Sequence, residues 1–339
     1  MDLREQLKFL SYCIKKRNDT RFIKNVYKLG NEYNMVALEK GEQMPADKVV
    51  YHIVMEPSYS GFFADHNKLL SLLYFADYYG MIPVVEYGKE YSYAEDHPVN
   101  GTENPFEYYF MQPGGLTPED ARKYSVRVCS RKENSALAGR FNEKSGGYGM
   151  SEEYIVHLGR ISEKYISLNE QTKDKVLTDI KELLEGKKSI GVHVRGTDFK
   201  QNYNGHPIQI STQEYLEETK RLLEKGIYEL VFLATDDVEA IALFQKELGD
   251  KVRFYEDVTR SNGKETVMKS ESGRENHHYL LGLEVLRDMY TLAACDGLIA
   301  GLSQVSYAAR IQKAAQKEEY SDMVIINKGI NRHRENCPT

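Results

Sequence analysis

The sequence predicts an α/β protein made of two Rossmann-like domains that face each other across a cleft. Three observations carry this reading. Residues 49–87 run strand, helix, strand, which is a βαβ unit. Beyond residue 186 strands and helices alternate regularly. The apolar run 189–194 stops abruptly at Arg195, Thr197 and Asp198, so polar groups crowd one strand end.

The elements follow in order. Residues 1–45 distribute Lys, Arg and Glu around apolar positions and read as amphipathic helix. The first strand is Val49 to Met55, followed by a loop holding Pro57, Ser58, Ser60 and Gly61. Leu69, Leu70, Leu72, Leu73 and Phe75 mark a helix from about Asp65 to Tyr79, which Gly80 stops. Ile82 to Tyr87 is the next strand. Residues 88–150 hold Pro98, Pro105, Pro113, Pro118 and the run 145–149, and read as rim insertions followed by a loop. Helices resume at 151–166 and 170–185, and the turn 185–188 joins a domain over 1–186 to one over 187–339. In the second domain strands are expected at 189–194, 229–234, 251–255, 297–301 and 322–327. Helices are expected at 212–225, 237–248, 279–294 and 303–317.

Composition narrows the function classes. A net charge of −6 over 339 residues argues against nucleic acid as the main partner. Cys13, Cys129, Cys295 and Cys337 form no CxxC pair, which disfavours zinc and redox motifs and fits a reducing cytoplasm. The first residues carry acidic groups and no long apolar core, so they do not read as a signal peptide. The most apolar window, Leu69 to Val85, contains Asp77 and Pro83 and reads as helix then strand rather than a membrane span. The cluster Lys15-Lys16-Arg17 suits a solvated helical face or peripheral contact with the inner face of a membrane.

Three strand ends in the second half carry chemistry. They are His193 to Asp198, then Thr235, Asp236 and Asp237, then Ser303 and Gln304. In parallel strands these ends lie side by side, where open α/β sheets bind ligands. Arg195 offers a planar, permanent cation suited to phosphate oxygens. A helix starting near Ser303 would point amide N–H groups at the same anion. Each group has a second reading. Arg195 can serve as an ion-pair partner and His193 as a core histidine. One of Asp236 and Asp237 suits a helix N-cap, as does Ser303. No third or fourth ligand accompanies the two Asp residues, so no metal site is expected. In the first half Gly61 fits a tight turn or close ligand approach. Asp65, His66 and Lys68 can face the cleft or solvent. The aromatic run 104–110 reads as core rather than carbohydrate platform.

The segment Gly191-Val192-His193-Val194-Arg195-Gly196-Thr197-Asp198 resembles the first signature of the GDP-fucose fucosyltransferase superfamily. Further segments agree in order. His206-Pro207-Ile208 resembles the α1,6-type enzymes. Phe232-Leu233-Ala234-Thr235-Asp236-Asp237 is similar to the second signature. Asp288-Met289-Tyr290-Thr291-Leu292, with Asp296 and Ser303-Gln304-Val305, is similar to the third. The likeness is loose over residues 48–87 and closer over 165–311.

The resemblance implies a GT-B fold and inverting, metal-independent transfer of fucose from GDP-fucose to a glycan hydroxyl, with no cofactor. A bacterial surface polysaccharide or oligosaccharide is the expected acceptor. By position Arg195 would grip the β-phosphate, and His193 and Asp288 would read guanine. Thr235, Asp236 and Asp237 would line the nucleotide pocket. Ser303, with Gln304 and the helix start, would bind the diphosphate. Gly61 belongs to the opening βαβ unit. Asp198 is the expected base, with His206 and Asp65 as other candidates. Two departures stand out. A second arginine common after the first is Gly196 here, and the region of the α1,6-type catalytic glutamate holds Asn202 and Tyr203. The alternatives are a GT-B enzyme using another nucleotide sugar and a catalytically silent nucleotide- or sugar-binding protein.

Overall fold

The structure is a computed structural model that describes residues 3–18, 37–39, 49–55, 60–124, 127–129, 141–143, 148–196, 204–260, 267 and 272–332. Helix α1 is Leu3–Lys15. Strands β1 (Ala37–Glu39), β2 (Val50–Met55), β3 (Ile82–Tyr87) and β4 (Arg127–Cys129) form one sheet in the order β1-β4-β2-β3. Strands β4, β2 and β3 run parallel, and β1 is antiparallel to β4.

Two parts of this sheet differ from expectation. Residues 37–39 were expected in a helix, and Ala, Leu and Glu all favour one. Pairing with Arg127–Cys129 overrides that preference. β4 itself falls in the stretch expected to be rim insertion, yet it pairs with the central strand β2. The short helix α3, Pro118–Lys123, was not expected either. Thr117 and Asp120 form a capping box, and Pro118 opens the first turn.

Helix α2, Phe62–Tyr78, connects β2 to β3. It starts earlier than the expected Asp65, and Gly80 follows it at φ +64°. The helix is apolar around most of its circumference and is buried accordingly. Helices α4 (Glu152–Tyr165) and α5 (Glu170–Leu184) follow, capped by Ser151 and Asn169. Glu185 and Gly186 both take positive φ and turn the chain into the second half.

That half holds β5 (Ser189–Val194), α6 (Thr212–Leu223), β6 (Leu230–Thr235) and α7 (Val238–Leu248). It continues with β7 (Val252–Arg253), α8 (His277–Ala294), β8 (Gly297–Gly301), α9 (Gln304–Ala315) and β9 (Asp322–Ile326). β7 is shorter than the expected 251–255, because a 3-10 turn at Gly249–Lys251 precedes it and Tyr255 turns its hydroxyl to Thr291. All five strands are parallel, in the order β7-β6-β5-β8-β9. This is the doubly wound arrangement, with the strand order reversing between β5 and β8. The two α/β halves match the expected fold class.

The halves share one apolar core, which runs from Tyr51 and Leu69 through Tyr109 to Leu292 and Ile311. The aromatic run 104–110 belongs to it. Tyr109 stacks on Tyr279 with ring centroids 5.3 Å apart and donates its hydroxyl to the Tyr279 carbonyl at 2.9 Å. Gly282 makes room for this joint, since a Cβ there would lie 2.1 Å from the Tyr109 hydroxyl. Gly159 on α4 likewise lets α9 approach, because an added Cβ would meet Ala314 Cβ at 2.7 Å. Arg287 is buried, ion-paired to Asp179 at 2.6 Å and to Asp257 at 2.5 Å, and lies over the Tyr255 ring at 3.8 Å. The window Leu69 to Val85 resolves into α2 and β3. Among the described residues no helix is long and apolar enough to cross a membrane.

Candidate active site

The pairing register brings the second half's polar strand ends together. His193 on β5 pairs with Ala234 on β6 and Ala300 on β8, so residues 194–196, 235–237 and 301–303 share one edge. The point where strand order reverses, between β5 and β8, is where an open α/β sheet leaves a crevice. There His193 Nδ1 lies 3.2 Å from Ser303 Oγ, with both side chains buried. Ser303 caps α9, its hydroxyl accepting from the Ser306 N–H at 3.0 Å. α9 therefore directs its positive end at the crevice.

Arg195 leaves the end of β5 with its side chain about 30% exposed, and Nη1 stands 3.7 Å from Asp236 Oδ2. That separation is an ion-pair distance, longer than a hydrogen bond. Arg195 is thus partly open to solvent rather than sealed in the core. Its positive charge reaches the Tyr93 hydroxyl of the first half, which burial pushes up to about 12 and Arg195 opposes. Tyr93 in turn accepts from the Phe62 N–H at 3.1 Å, at the start of α2. Arg195 is therefore close enough to the first half for its charge to act on Tyr93.

The other strand end is tightly built. Asp236 Oδ1 accepts from the Gly196 N–H at 2.9 Å. A Cβ at position 196 would lie 2.7 Å from Asp237 Cβ and 2.9 Å from Asp236 Oδ1. A second arginine cannot occupy this position without moving both acids, which accounts physically for the departure at Gly196. Asp237 is the N-cap of α7, accepting from the Glu239 N–H at 2.9 Å, and Thr235 Oγ1 accepts from the Asp237 N–H at 3.1 Å.

Gln304 opens α9 and is tied to the first half. Asn67 Nδ2 donates to its carbonyl and to its side-chain Oε1, both at 3.0 Å. Asn67 is buried. Sequence reasoning missed Asn67 and Tyr93, because neither belongs to a spacing pattern that signals a site.

Gly61 precedes α2 at φ −69°, an ordinary extended value, so no tight turn requires glycine there. Nothing lies within 4 Å of an added Cβ, which leaves only the close-approach reading. Asp65 and His66 are buried rather than solvated. His66 packs against Phe63 and Phe110, and burial lowers its pKa to about 4. It is a neutral core histidine.

No protein-family model matches the sequence, and no curated protein matches it. Among solved structures, the fold is similar to that of NodZ alpha-1,6-fucosyltransferase soaked with GDP-fucose. The two are 17% identical with a TM-score of 0.46, covering 78% of this chain and 93% of that one. POFUT1 in complex with GDP-fucose is 12% identical with a TM-score of 0.47, over 84% of this chain and 99% of that one. FUT1 from Arabidopsis thaliana is 13% identical with a TM-score of 0.42, over 96% and 81%. At these identities and scores neither activity nor residue roles transfer.

The remaining expected residues fall in three places. Asp288 lies on α8 beside Arg287, Arg260 and Glu284. Burial raises its pKa to about 7, and the positive charges of Arg287 and Arg260 oppose the rise. His206 is half-buried, with its ring 6.0 Å from Tyr148 and its carbonyl accepting from the Asn331 N–H at 2.8 Å. Asp198, Thr197, Asn202 and Tyr203 lie outside the described residues.

Proposed function

We propose that this chain is an inverting, metal-independent glycosyltransferase that moves fucose from GDP-fucose to a glycan hydroxyl. One observation carries the reading. Arg195 stands about 30% exposed at the strand end beside the point where the strand order reverses, with the Ser303-capped start of α9 at the neighbouring strand end. A guanidinium and a helix N-terminus there can neutralise a diphosphate without a metal. The signature residues His193, Arg195, Asp236, Asp237 and Ser303 supply the donor class by resemblance.

In this scheme the acceptor oxygen attacks the anomeric carbon opposite the departing GDP. The C–O bond to the β-phosphate breaks and its electron pair leaves with GDP. Arg195 and the α9 amides stabilise the growing negative charge. The acceptor proton passes to Asp198. Asp288 and His193 hold the guanine. The second half binds the donor and the first half the acceptor. The sparse cysteines, with Cys295 a buried free thiol, suit the cytoplasm as the proposed compartment.

The test is a donor panel of GDP-fucose, GDP-mannose and a UDP-sugar, read by calorimetry and by mass spectrometry of products. Fucose transfer or GDP-fucose hydrolysis, unchanged by a chelator, is expected. Turnover of GDP-mannose alone, or tight GDP binding without turnover, would overturn the proposal.

A further inference from the structure

We propose that α1 is a docking surface for an anionic lipid membrane. Leu3, Leu7, Leu10 and Ile14 are 70%, 57%, 55% and 54% exposed. Their spacing of four, three and four residues puts them in one stripe along α1. An apolar stripe left in water implies a covering surface.

Charge decides which. Residues 3–17 carry Arg4, Lys8, Lys15, Lys16 and Arg17 against the single acid Glu5, in a chain whose net charge is −6. Arg4, Lys8 and Lys15 form a row roughly a quarter-turn from the stripe. Basic side chains flanking an apolar stripe match a helix lying in the headgroup plane, with leucines in the acyl boundary and cations on phosphates. A second copy of α1 fits worse. The stripe spans two heptads, short for a coiled coil, and pairing would set two basic helices against each other.

The experiment is co-sedimentation of the full chain with phosphatidylcholine vesicles, with and without phosphatidylglycerol, alongside light scattering. Binding to the anionic vesicles only, lost at high salt, is expected. Leu7→Ala with Leu10→Ala should weaken it roughly tenfold or more while keeping helix propensity. Lys15→Gln, Lys16→Gln and Arg17→Gln together should weaken it roughly 100-fold, at about a factor of five per basic residue. An unchanged melting temperature shows that the variants remain folded. The proposal fails if the wild type ignores anionic vesicles or if the leucine variant binds as before. It also fails if a wild-type dimer becomes a monomer in the leucine variant, since a second copy then covers the stripe.

Discussion

The side-chain amide of Asn67 donates to both oxygens of Gln304, clasping the first residue of α9 from the first half of the molecule. Asn67→Ala removes both bonds, each worth about 0.5–1.5 kcal/mol. A loss of about 1–3 kcal/mol in denaturant unfolding is expected, with KM for GDP-fucose rising more than kcat falls. An unchanged unfolding midpoint would show that the clasp does not matter.

Arg195→Ala should lower transfer by roughly 100-fold or more, as for loss of one group that stabilises a departing oxyanion. Arg195→Lys should recover part of that, since it keeps the charge but not the fork. Steady-state rates check both, and a near-wild-type alanine variant contradicts the proposed role.

Asp198→Asn should leave GDP affinity intact and remove transfer, because an amide cannot take the acceptor proton. Calorimetry paired with product assays separates these effects. If GDP binding disappears as well, Asp198 is not the base.

Gly196→Ala should push against Asp236 and Asp237, given the 2.7 Å approach to Asp237 Cβ. Overpacking of this kind costs about 1–3 kcal/mol. Thermal melts should register it, together with weaker GDP binding.

Asp288, proposed to hold the guanine, should make GDP binding pH-dependent. Burial raises its pKa to about 7, and accepting from guanine N–H groups requires the ionised carboxylate. GDP affinity should therefore improve roughly tenfold between about pH 6 and pH 8, and Asp288→Asn should flatten that profile. Stability moves the opposite way. A carboxyl whose folded pKa exceeds its unfolded value favours the folded state below the unfolded pKa, and this benefit is lost as pH rises through about 7. Asp288→Asn should thus raise the melting temperature more near pH 8 than near pH 5.

Much of the second half was legible because its strands are short apolar runs buried on both faces, as Ser189–Val194 and Gly297–Gly301 are. Arg195, Asp236 and Ser303 follow from the same logic, since polar groups ending such runs must meet at one edge. The strands Ala37–Glu39 and Arg127–Cys129 were not legible, because three residues carry no period and their pairing is non-local. Asn67 and Tyr93 gain meaning only from partners far along the chain. His66 shows the opposite case, a titratable residue beside a loop that tertiary packing enclosed among Phe63 and Phe110.

The Tyr109–Tyr279 stack, closed over Gly282, joins the halves through aromatic rings that each supplies. Severing the chain at the 185–188 turn would lay bare aromatic rings on both fragments, so neither fragment should stay soluble alone. Heat should melt the intact molecule in a single calorimetric step.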